Sequence, residues 1–289
     1  MAEKEAFVKN SQNHNPQQLI SVIVPTFNRA DMILKPLNSV YNQTYRPIEL
    51  LVVDDGSTDR TKEVIQNWKS ENESEDFIIK YIFQKNSGAP AARNNGIRNS
   101  TGRYLQFLDS DDELLPEKLA WQFEKMKTEN TPICICDYKH LDENGKILAD
   151  LSKNYSIDDF IRNFMAVHTI GPLTDKSFFK QKQLIWNEKI TKLQDKDYFL
   201  KLLMVTKKMS YVDRVLFHWI RHSAEDRISI RIKDTRKTLS DILVSILIFQ
   251  LKNFWSIPIQ RWPAIITLDL KMLRWVLRIG LIFKRLHLR

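Results

Sequence analysis

Three carboxylates within four residues follow directly on an apolar run. Residues 105–108 (LQFL) are largely apolar, and the segment 109–112 (DSDD) comes immediately after them. Neighbouring carboxylates repel one another, so their clustering favours a bound cation. Hard divalent ions prefer oxygen ligands and are commonly held by one or two carboxylates together with substrate phosphates. The alternative is that these residues only end a strand, with Asp112 capping a helix that begins near Pro116.

The apolar run is one of several strand-like segments that alternate with helical patterns. Strand-like runs lie at 19–25, 48–54, 78–84 and 104–109, and helical stretches lie near 30–42, 59–70, 89–99 and 116–128. Strands that are apolar on both faces and are separated by helices indicate a parallel sheet covered on both sides. In such a sheet the ligand crevice lies beyond the carboxyl ends of the strands. We therefore expect the polar loops that follow these strands to meet at one edge.

The loops at that edge carry side chains suited to a nucleotide. Phe27 could stack against a base, and the Asp55 carboxylate could accept the imide N–H of a uracil or thymine. The loop after Asp55 is also rich in turn formers, and Ser57 or Thr58 would cap the next helix. Arg93 could reach a phosphate, although a solvated surface arginine is the commoner fate of such a residue.

Two common phosphate-binding patterns are absent from the sequence. There is no G-x-x-x-x-G-K-[ST] loop and no G-x-G-x-x-G turn after a strand. A P-loop hydrolase and a dinucleotide-dependent oxidoreductase are therefore not supported. Because the chain has only seven glycines, a loop of backbone N–H groups that binds phosphate is disfavoured. A metal held by carboxylates would then have to neutralise the negative charge of the phosphate.

Four ordered segments of the sequence resemble the motifs of family 2 glycosyltransferases, which have the GT-A fold. They are SVIVPTFN at 21–28, VDDGSTD at 53–59, NSG followed by ARNNG at 86–96, and FLDSDD at 107–112. The resemblance implies an α/β fold with a Rossmann-like, mostly parallel central sheet flanked by helices, here with a C-terminal helical appendage. It also implies inverting transfer of a sugar from a nucleotide diphosphate donor, usually UDP-linked, with Mn²⁺ or Mg²⁺ as the metal.

The resemblance assigns roles to individual positions. The expected nucleotide-sugar site comprises Pro25, Thr26, Phe27, Asn28, Asp55, Arg93, Asp109, Ser110 and Asp111. Within it, Asp55 is expected to face uracil and Arg93 to lie near the base and diphosphate. The expected metal ligands are Asp111, Asp112 and His222. Arg221, beside His222, is a further candidate for contact with the diphosphate.

Glycosyl transfer with inversion also needs a base that takes the proton of the acceptor hydroxyl. Thr191 and Gln194 have the spacing of a capping box, which predicts a helix beginning there. The family usually has Glu-Asp at this point, and this chain has Gln194-Asp195. Asp195 is the expected catalytic base, because a helix dipole favours an ionised carboxylate in the first turn. The alternative is that Asp195 only complements that dipole.

The excess positive charge lies in the last sixty residues. From Ile230 onward there are twelve Lys/Arg and three Asp/Glu, which accounts for the whole net charge of +9. The pattern from about Thr235 is helical, and the basic residues of the last helix share one face opposite Leu, Ile, Trp and Phe: Lys271, Arg274, Arg278, Arg285 and Arg289. This is typical of an interfacial helix drawn to anionic lipid rather than of a transmembrane span. The alternative is that the apolar face packs on the catalytic domain.

The expected organisation is a flexible segment at 1–18, a GT-A domain at 19–230 and a basic helical region at 231–289. The nucleotide-binding half would cover 19–115 and the acceptor half 116–230. The expected partners are a UDP-sugar donor, a glycan or lipid-linked saccharide acceptor, and an anionic membrane through 262–289; no nucleic acid is expected.

The sequence also bears on the cellular location of the protein and on alternative functional classes. Residues 1–18 are polar and show no signal peptide. Cys134 and Cys136 are expected to be small core residues of a reduced, cytoplasmic protein at the inner face of the cell membrane. Two alternatives are a non-catalytic nucleotide-sugar-binding protein and a nucleotidyltransferase, although the latter usually has a glycine-rich loop after the first strand.

Overall fold

The computed structural model describes residues 18–151, 156–162, 168–178, 184–221 and 232–286. The strands are β1 (Ile20–Thr26), β2 (Ile48–Asp54), β3 (Phe77–Phe83), β4 (Tyr104–Phe107), β5 (Glu113–Leu114), β6 (Ile133–Asp142), β7 (Ile147–Leu151), β8 (Leu173–Asp175) and β9 (Ser210–Arg221). The helices are α1 (Leu34–Tyr41), α2 (Thr61–Asn72), α3 (Ala89–Asn99), α4 (Lys118–Glu129), α5 (Ile157–Arg162), α6 (Gln194–Val205), α7 (Ile232–Asn253) and α8 (Trp262–Leu286). All eight elements predicted for the first half are present, with most boundaries shifted by one to four residues.

The nine strands form one sheet in the order β3-β2-β1-β4-β8-β6-β9-β5, with β7 paired to β6. Strands β1 to β4 are parallel, whereas β8 runs antiparallel to both β4 and β6. Every residue of β1 and β2 is buried, as expected for parallel strands covered on both faces. The predicted α/β class, with a Rossmann-like sheet flanked by helices and a C-terminal helical part, is confirmed.

The chain divides into two compact units. The first comprises residues 1–154, 169–181 and 209–222 and contains the whole sheet with α1 to α4. The second comprises residues 155–168, 182–208 and 223–289 and contains α5 to α8. The domain boundaries expected from the sequence remain a prediction.

Helix α3 is fixed closely against β1. Gly88 precedes the helix with φ of +89°, a conformation that glycine adopts readily, and Pro90 lies in the first turn. Further along, a Cβ atom added at Gly96 would clash with the Ile23 side chain. The absence of a side chain at Gly96 therefore allows α3 to approach the sheet.

A buried carboxylate joins three parallel strands in the first unit. Glu49 of β2 accepts hydrogen bonds from Ser21 Oγ and Lys80 Nζ, each at 2.5 Å, and from the N–H and hydroxyl of Thr101. Burial raises the pKa of Glu49, but the bonds from Lys80, Ser21 and Thr101 outweigh that effect, so the pKa is lowered from its ordinary value. Glu49 is thus held in its ionised form inside the fold.

Cys134 and Cys136 are both buried and neither forms a disulfide, which confirms their prediction as core residues. Burial raises the pKa of each thiol to about 12. Both therefore remain protonated at neutral pH, and they act as small apolar side chains.

The second unit is helical. Trp186 is buried and stacks on Tyr198 of α6, with ring centroids 4.2 Å apart. Helices α7 and α8 contact each other, and Gln250 donates to Asp269 between them. The predicted helical character of the tail is confirmed. None of the described helices combines the length and apolar composition needed to cross a bilayer.

Candidate functional site

The loops that follow β1 and β2 are tied together at the carboxyl edge of the sheet. The Asn28 N–H donates to Ser57 Oγ at 2.8 Å, and the Thr58 N–H donates to Asn28 Oδ1 at 2.8 Å. Asn28 has φ of +51°, a left-handed conformation that asparagine tolerates better than most residues. The prediction that these polar loops meet at one edge is confirmed.

The start of α2 differs from the prediction. Asp59, rather than Ser57 or Thr58, binds the first turn, because its Oδ1 accepts both the N–H and the hydroxyl of Thr61. Ser57 instead accepts from Asn28 and donates its N–H to Asp54. The capping expectation for Ser57 and Thr58 is therefore wrong, since both residues are used to join the two loops.

The end of β1 presents an aromatic ring and an unsatisfied hydroxyl. Pro25 and Thr26 are the last residues of the strand, and Phe27, immediately after it, is 44% exposed. Thr26 Oγ1 is buried and has no hydrogen-bond partner among the described residues. Buried hydroxyls are normally paired, so this atom has capacity for a bond to a bound molecule.

Asp55 accepts three hydrogen bonds from the segment between β3 and α3. Its Oδ1 accepts from Gln84 Nε2 at 2.7 Å and from the Ser87 N–H at 2.8 Å, and its Oδ2 accepts from the Gly88 N–H at 2.7 Å. A carboxylate has about four acceptor sites. The three bonds therefore leave Asp55 Oδ2 able to accept one more hydrogen bond.

Arg93 and Asp109 form an ion pair in the same region. Arg93 is buried in α3, and its Nη2 lies 2.5 Å from Asp109 Oδ1. The alternative of a solvated surface arginine is therefore wrong. Gly88, which caps the start of α3, donates its N–H to Asp55, and Arg93 within α3 binds Asp109. The capped helix therefore connects two residues of the expected nucleotide-sugar site.

The segment 109–112 forms a tight acidic turn. Ser110 and Asp111 are partly exposed, whereas Asp112 is buried, and its Oδ1 accepts the Ile220 N–H at 2.7 Å. Burial, together with the charges of Asp111 and Asp109, raises the pKa of Asp112 well above its ordinary value, although the Ile220 bond opposes the shift. Helix α4 starts at Lys118 without a side-chain cap, so the expectation that Asp112 caps it is wrong.

The acidic turn has donor chemistry suited to a hard divalent cation. Burial and the charges of Asp111 and Asp109 disfavour ionisation of Asp112, and a cation in the turn would offset that cost. The part of the chain that the structure describes contains no group of three or more His, Cys, Asp or Glu arranged to hold a metal. One or two carboxylates completed by substrate phosphates is the usual arrangement for Mg²⁺, and the residues present fit that arrangement. His222 lies outside the described residues; Arg221 is exposed at the end of β9.

A buried lysine fixes the strand that carries the acidic turn. Lys118 Nζ donates to Gln106 Oε1 at 2.6 Å and to Gln122 Oε1 at 2.5 Å. Gln106, on β4, also donates to the Ile170 carbonyl, and Gln122 to the Gly171 carbonyl. Burial lowers the pKa of Lys118 to about 8. This network joins β4 to the segment before β8.

Asp195 lies in the first turn of α6, in the second unit. The capping box predicted from Thr191 and Gln194 is wrong, because Leu193 adopts a left-handed conformation (φ +53°) and the helix begins only at Gln194. Gln194 Nε2 donates to the Thr191 carbonyl instead. Asp195 Oδ2 lies 2.9 Å from Lys196 Nζ, an ion pair that favours the ionised carboxylate.

Residues 21–218 match the model of the protein family described as "Glycosyl transferase family 2". The chain belongs to glycosyltransferase family 2. Its membership confirms the resemblance seen in the four sequence segments, each of which includes or adjoins the loops described above.

The sequence is similar to those of other proteins named as glycosyltransferases. The putative teichuronic acid biosynthesis glycosyltransferase TuaG of Bacillus subtilis is 33% identical over 192 residues, covering 65% of this chain and 73% of TuaG. A Rickettsia bellii protein named "Uncharacterized glycosyltransferase" is 38% identical over 133 residues, covering 46% of this chain. The match spans only 19% of the Rickettsia protein.

The fold is also similar to that of a solved structure. The crystal structure of S. aureus TarS 1–349 in complex with UDP-GlcNAc has a TM-score of 0.66 and 20% sequence identity. The similarity covers 80% of this chain and 67% of TarS 1–349.

Two contacts of the candidate site are not among those predicted from the sequence. Gln84 binds Asp55, and its position as the polar residue directly after β3 is a signal that could have identified it. The Lys118–Gln106 contact has no such signal, because it depends on which face of α4 meets β4.

Proposed function

We propose that this chain transfers a single sugar, with inversion, from a UDP-sugar to a glycan or lipid-linked saccharide acceptor. The observation that carries the proposal is the connection of Asp55 and Asp109 through α3. One end of this helix holds the carboxylate proposed to bind the base, and Arg93 holds the carboxylate that begins the acidic turn. Membership of family 2 and the UDP-GlcNAc bound by TarS support a nucleotide-sugar donor.

Recognition of the nucleoside rests on β1 and Asp55. The remaining acceptor site of Asp55 Oδ2 suits the N3–H of uracil, which lies between two carbonyls. The exposed ring of Phe27 offers a stacking surface, and the unpartnered Thr26 hydroxyl offers a further polar contact. Pro25 and Asn28 complete the loop on the side of β1.

The acidic turn would receive the diphosphate. Asp111 and Asp112, with His222 as a third candidate, would hold Mn²⁺ or Mg²⁺, and Asp109 and Ser110 would contact the sugar nucleotide. When bound, such an ion stabilises the charge that develops on the departing diphosphate. Arg93 keeps Asp109 in position and places a positive charge near the same group.

Asp195 is the proposed general base. It would take the proton of the acceptor hydroxyl while that oxygen forms a bond to the anomeric carbon and the bond to the UDP oxygen breaks. Its place in the first turn of α6 and its ion pair with Lys196 both favour the ionised carboxylate that this step requires.

The acceptor is proposed to be part of a cell-surface polysaccharide, handled at the cytoplasmic face of the membrane. The name of TuaG, a putative teichuronic acid biosynthesis protein, supports an acceptor of this class. The basic residues of 262–289 would contact anionic lipid there. Such a contact would suit a lipid-linked saccharide.

The direct test is release of UDP from a panel of UDP-sugars, with Mn²⁺ and with candidate acceptors. We expect Asp195→Asn to lower transfer by about 10²-fold or more while UDP binding is retained. Asp241→Asn, an exposed carboxylate on α7, is the matched control and should behave as wild type. Full transfer by Asp195→Asn would eliminate Asp195 as the base. If every UDP-sugar failed both to bind and to turn over, the proposal as a whole would be contradicted.

A further inference from the structure

Helix α7 exposes an apolar stripe to solvent. Val244, Leu247, Ile248 and Leu251 recur at intervals of three and four residues and so share one face, and Leu251 is 80% exposed. The opposite face, which includes Ile242 and Ile246, is buried. The buried face packs α7 against the rest of the second unit, so the exposed stripe is not needed for that packing.

The apolar surface continues into the two short 3₁₀ turns after α7. Trp255 is 95% exposed and Ile259 is 77% exposed. The neighbouring Phe254 contacts Trp255 and Trp262, with ring centroids 5.2 and 5.1 Å away. These ring contacts hold the turn in a defined position. We call Val244, Leu247, Ile248, Leu251, Trp255 and Ile259 the apolar ridge.

A basic cavity of about 680 Å³ adjoins the apolar ridge. It is lined by residues 207–208 and 255–261, including Trp255 and Ile259 themselves. Lys207 and Lys208 are exposed, and neither forms an ion pair within the described part of the chain. Arg261 is held in the wall by Asp158 at 2.7 Å and by the Lys207 carbonyl at 3.3 Å. The cavity lining therefore has three cations, of which one is paired with a carboxylate.

We propose that the apolar ridge and the basic cavity together dock on an anionic phospholipid bilayer, with a lipid headgroup phosphate in the cavity. Exposed apolar patches rimmed by polar residues mark interaction surfaces. Tryptophan is enriched at membrane interfaces, and basic side chains are attracted to anionic headgroups. Lys207 and Lys208 would meet the phosphate while Trp255 and Leu251 enter the boundary between headgroups and acyl chains.

The charge of this surface favours lipid over a second copy of the chain. A symmetric dimer that covered both the ridge and the cavity would bury Lys207 and Lys208 of each copy in its interface, and buried charges are costly unless each is paired. An anionic bilayer instead complements them and the positive charge of residues 230–289. This inference rests on the membrane contact proposed above and extends it to a surface outside residues 262–289; it does not depend on catalysis.

The test is co-sedimentation of the full chain with vesicles of phosphatidylcholine alone or mixed equally with phosphatidylglycerol. We expect binding to the anionic vesicles only. The double variant Lys207→Gln/Lys208→Gln should bind about thirtyfold more weakly, because it removes two basic residues near the surface. The double variant Leu251→Ser/Trp255→Ser should bind at least about tenfold more weakly, because it removes apolar area from the contact. The controls Ile147→Ser and Lys62→Gln, exposed residues of the first unit, should bind as wild type.

Three outcomes would overturn the inference. Loss of binding only in Lys271→Gln/Arg274→Gln would restrict the membrane contact to the last helix and leave the proposed function intact. No binding by wild type would remove both membrane proposals, whereas UDP binding would still report on the catalytic proposal. A dimer detected by light scattering and abolished by Leu251→Ser/Trp255→Ser would show that a second copy occupies the ridge.

Discussion

Arg93 Nη2 lies 2.5 Å from Asp109 Oδ1 and joins α3 to the acidic turn after β4. The arginine side chain is buried, whereas the aspartate side chain is 25% exposed. The pair therefore lies at the boundary between the core and the proposed diphosphate site. Because Gly88, the residue that caps the start of the same helix, donates its N–H to Asp55, a change in the position of α3 would affect both contacts.

Arg93→Ala is expected to weaken UDP binding by about tenfold, because charge-assisted bonds contribute about 1.5–3 kcal/mol. The substitution also removes the cation that holds Asp109 in place. Isothermal titration with UDP and Mn²⁺ would measure the change. Arg98→Ala, an exposed arginine on the same helix, is the control, and equal effects of the two substitutions would contradict a specific role for Arg93.

Gly96→Ala is expected to destabilise the fold by about 1–3 kcal/mol, the usual cost of overpacking a core. The added methyl group would clash with Ile23 of β1 and displace α3. Urea unfolding would give the free energy of unfolding, and UDP titration would report on Asp55 and Arg93. Unchanged stability and unchanged UDP affinity would show that α3 need not approach β1 this closely.

Asp55→Asn is expected to reduce the preference for UDP over CDP by about tenfold or more. Uracil presents a donor at N3 and cytosine an acceptor, so a carboxylate distinguishes them and an amide does so poorly. Titration of both nucleotides into wild type and variant would give the ratio. Gln84→Ala removes a neighbour that donates to Asp55 and accepts from Asn95, so it should lower both affinities without changing their ratio. A preference that survives in Asp55→Asn would place uracil recognition elsewhere.

Glu49→Gln is expected to lower stability at pH 7 by about 1–3 kcal/mol, because the buried carboxylate accepts bonds from Lys80, Ser21 and Thr101. The pKa of Glu49 is lowered on folding from its ordinary value of 4.5. Its stabilisation is therefore fully present above that value and is lost as pH falls through the lowered folded pKa. Denaturation of both proteins between pH 7 and pH 3 would measure this. A difference that stayed constant with pH would contradict the assignment.

The sequence predicts the first half of the fold well because its signals are local. The buried runs of β1 and β2, separated by helices, are enough to indicate a parallel sheet, and β2 was predicted to the residue. The pairing of β5 with β9 involves residues about a hundred positions apart. No periodicity shows which distant strand completes a sheet, so the hydrogen bond from the Ile220 N–H to the Asp112 carboxylate could not be predicted.

The sequence places some residues of the candidate site, while their roles stay predictions. The resemblance to family motifs indicates Asp55 and Arg93, and the structure shows both buried and hydrogen-bonded at the edge of the sheet. The start of α6 was missed because the left-handed conformation of Leu193 is unusual for a branched side chain. The exposed stripe of α7 was also missed, since an apolar pattern alone does not show which face is covered.

The most direct test of the proposed site is calorimetric measurement of UDP binding. It compares wild type with Asp111→Asn, each with and without Mn²⁺. We predict that wild type binds UDP more tightly with Mn²⁺ and that Asp111→Asn loses this metal-dependent gain while remaining folded. Equal affinity with and without Mn²⁺ in both proteins would contradict a metal site at the acidic turn. No UDP binding under any condition would contradict the proposed UDP-sugar site itself.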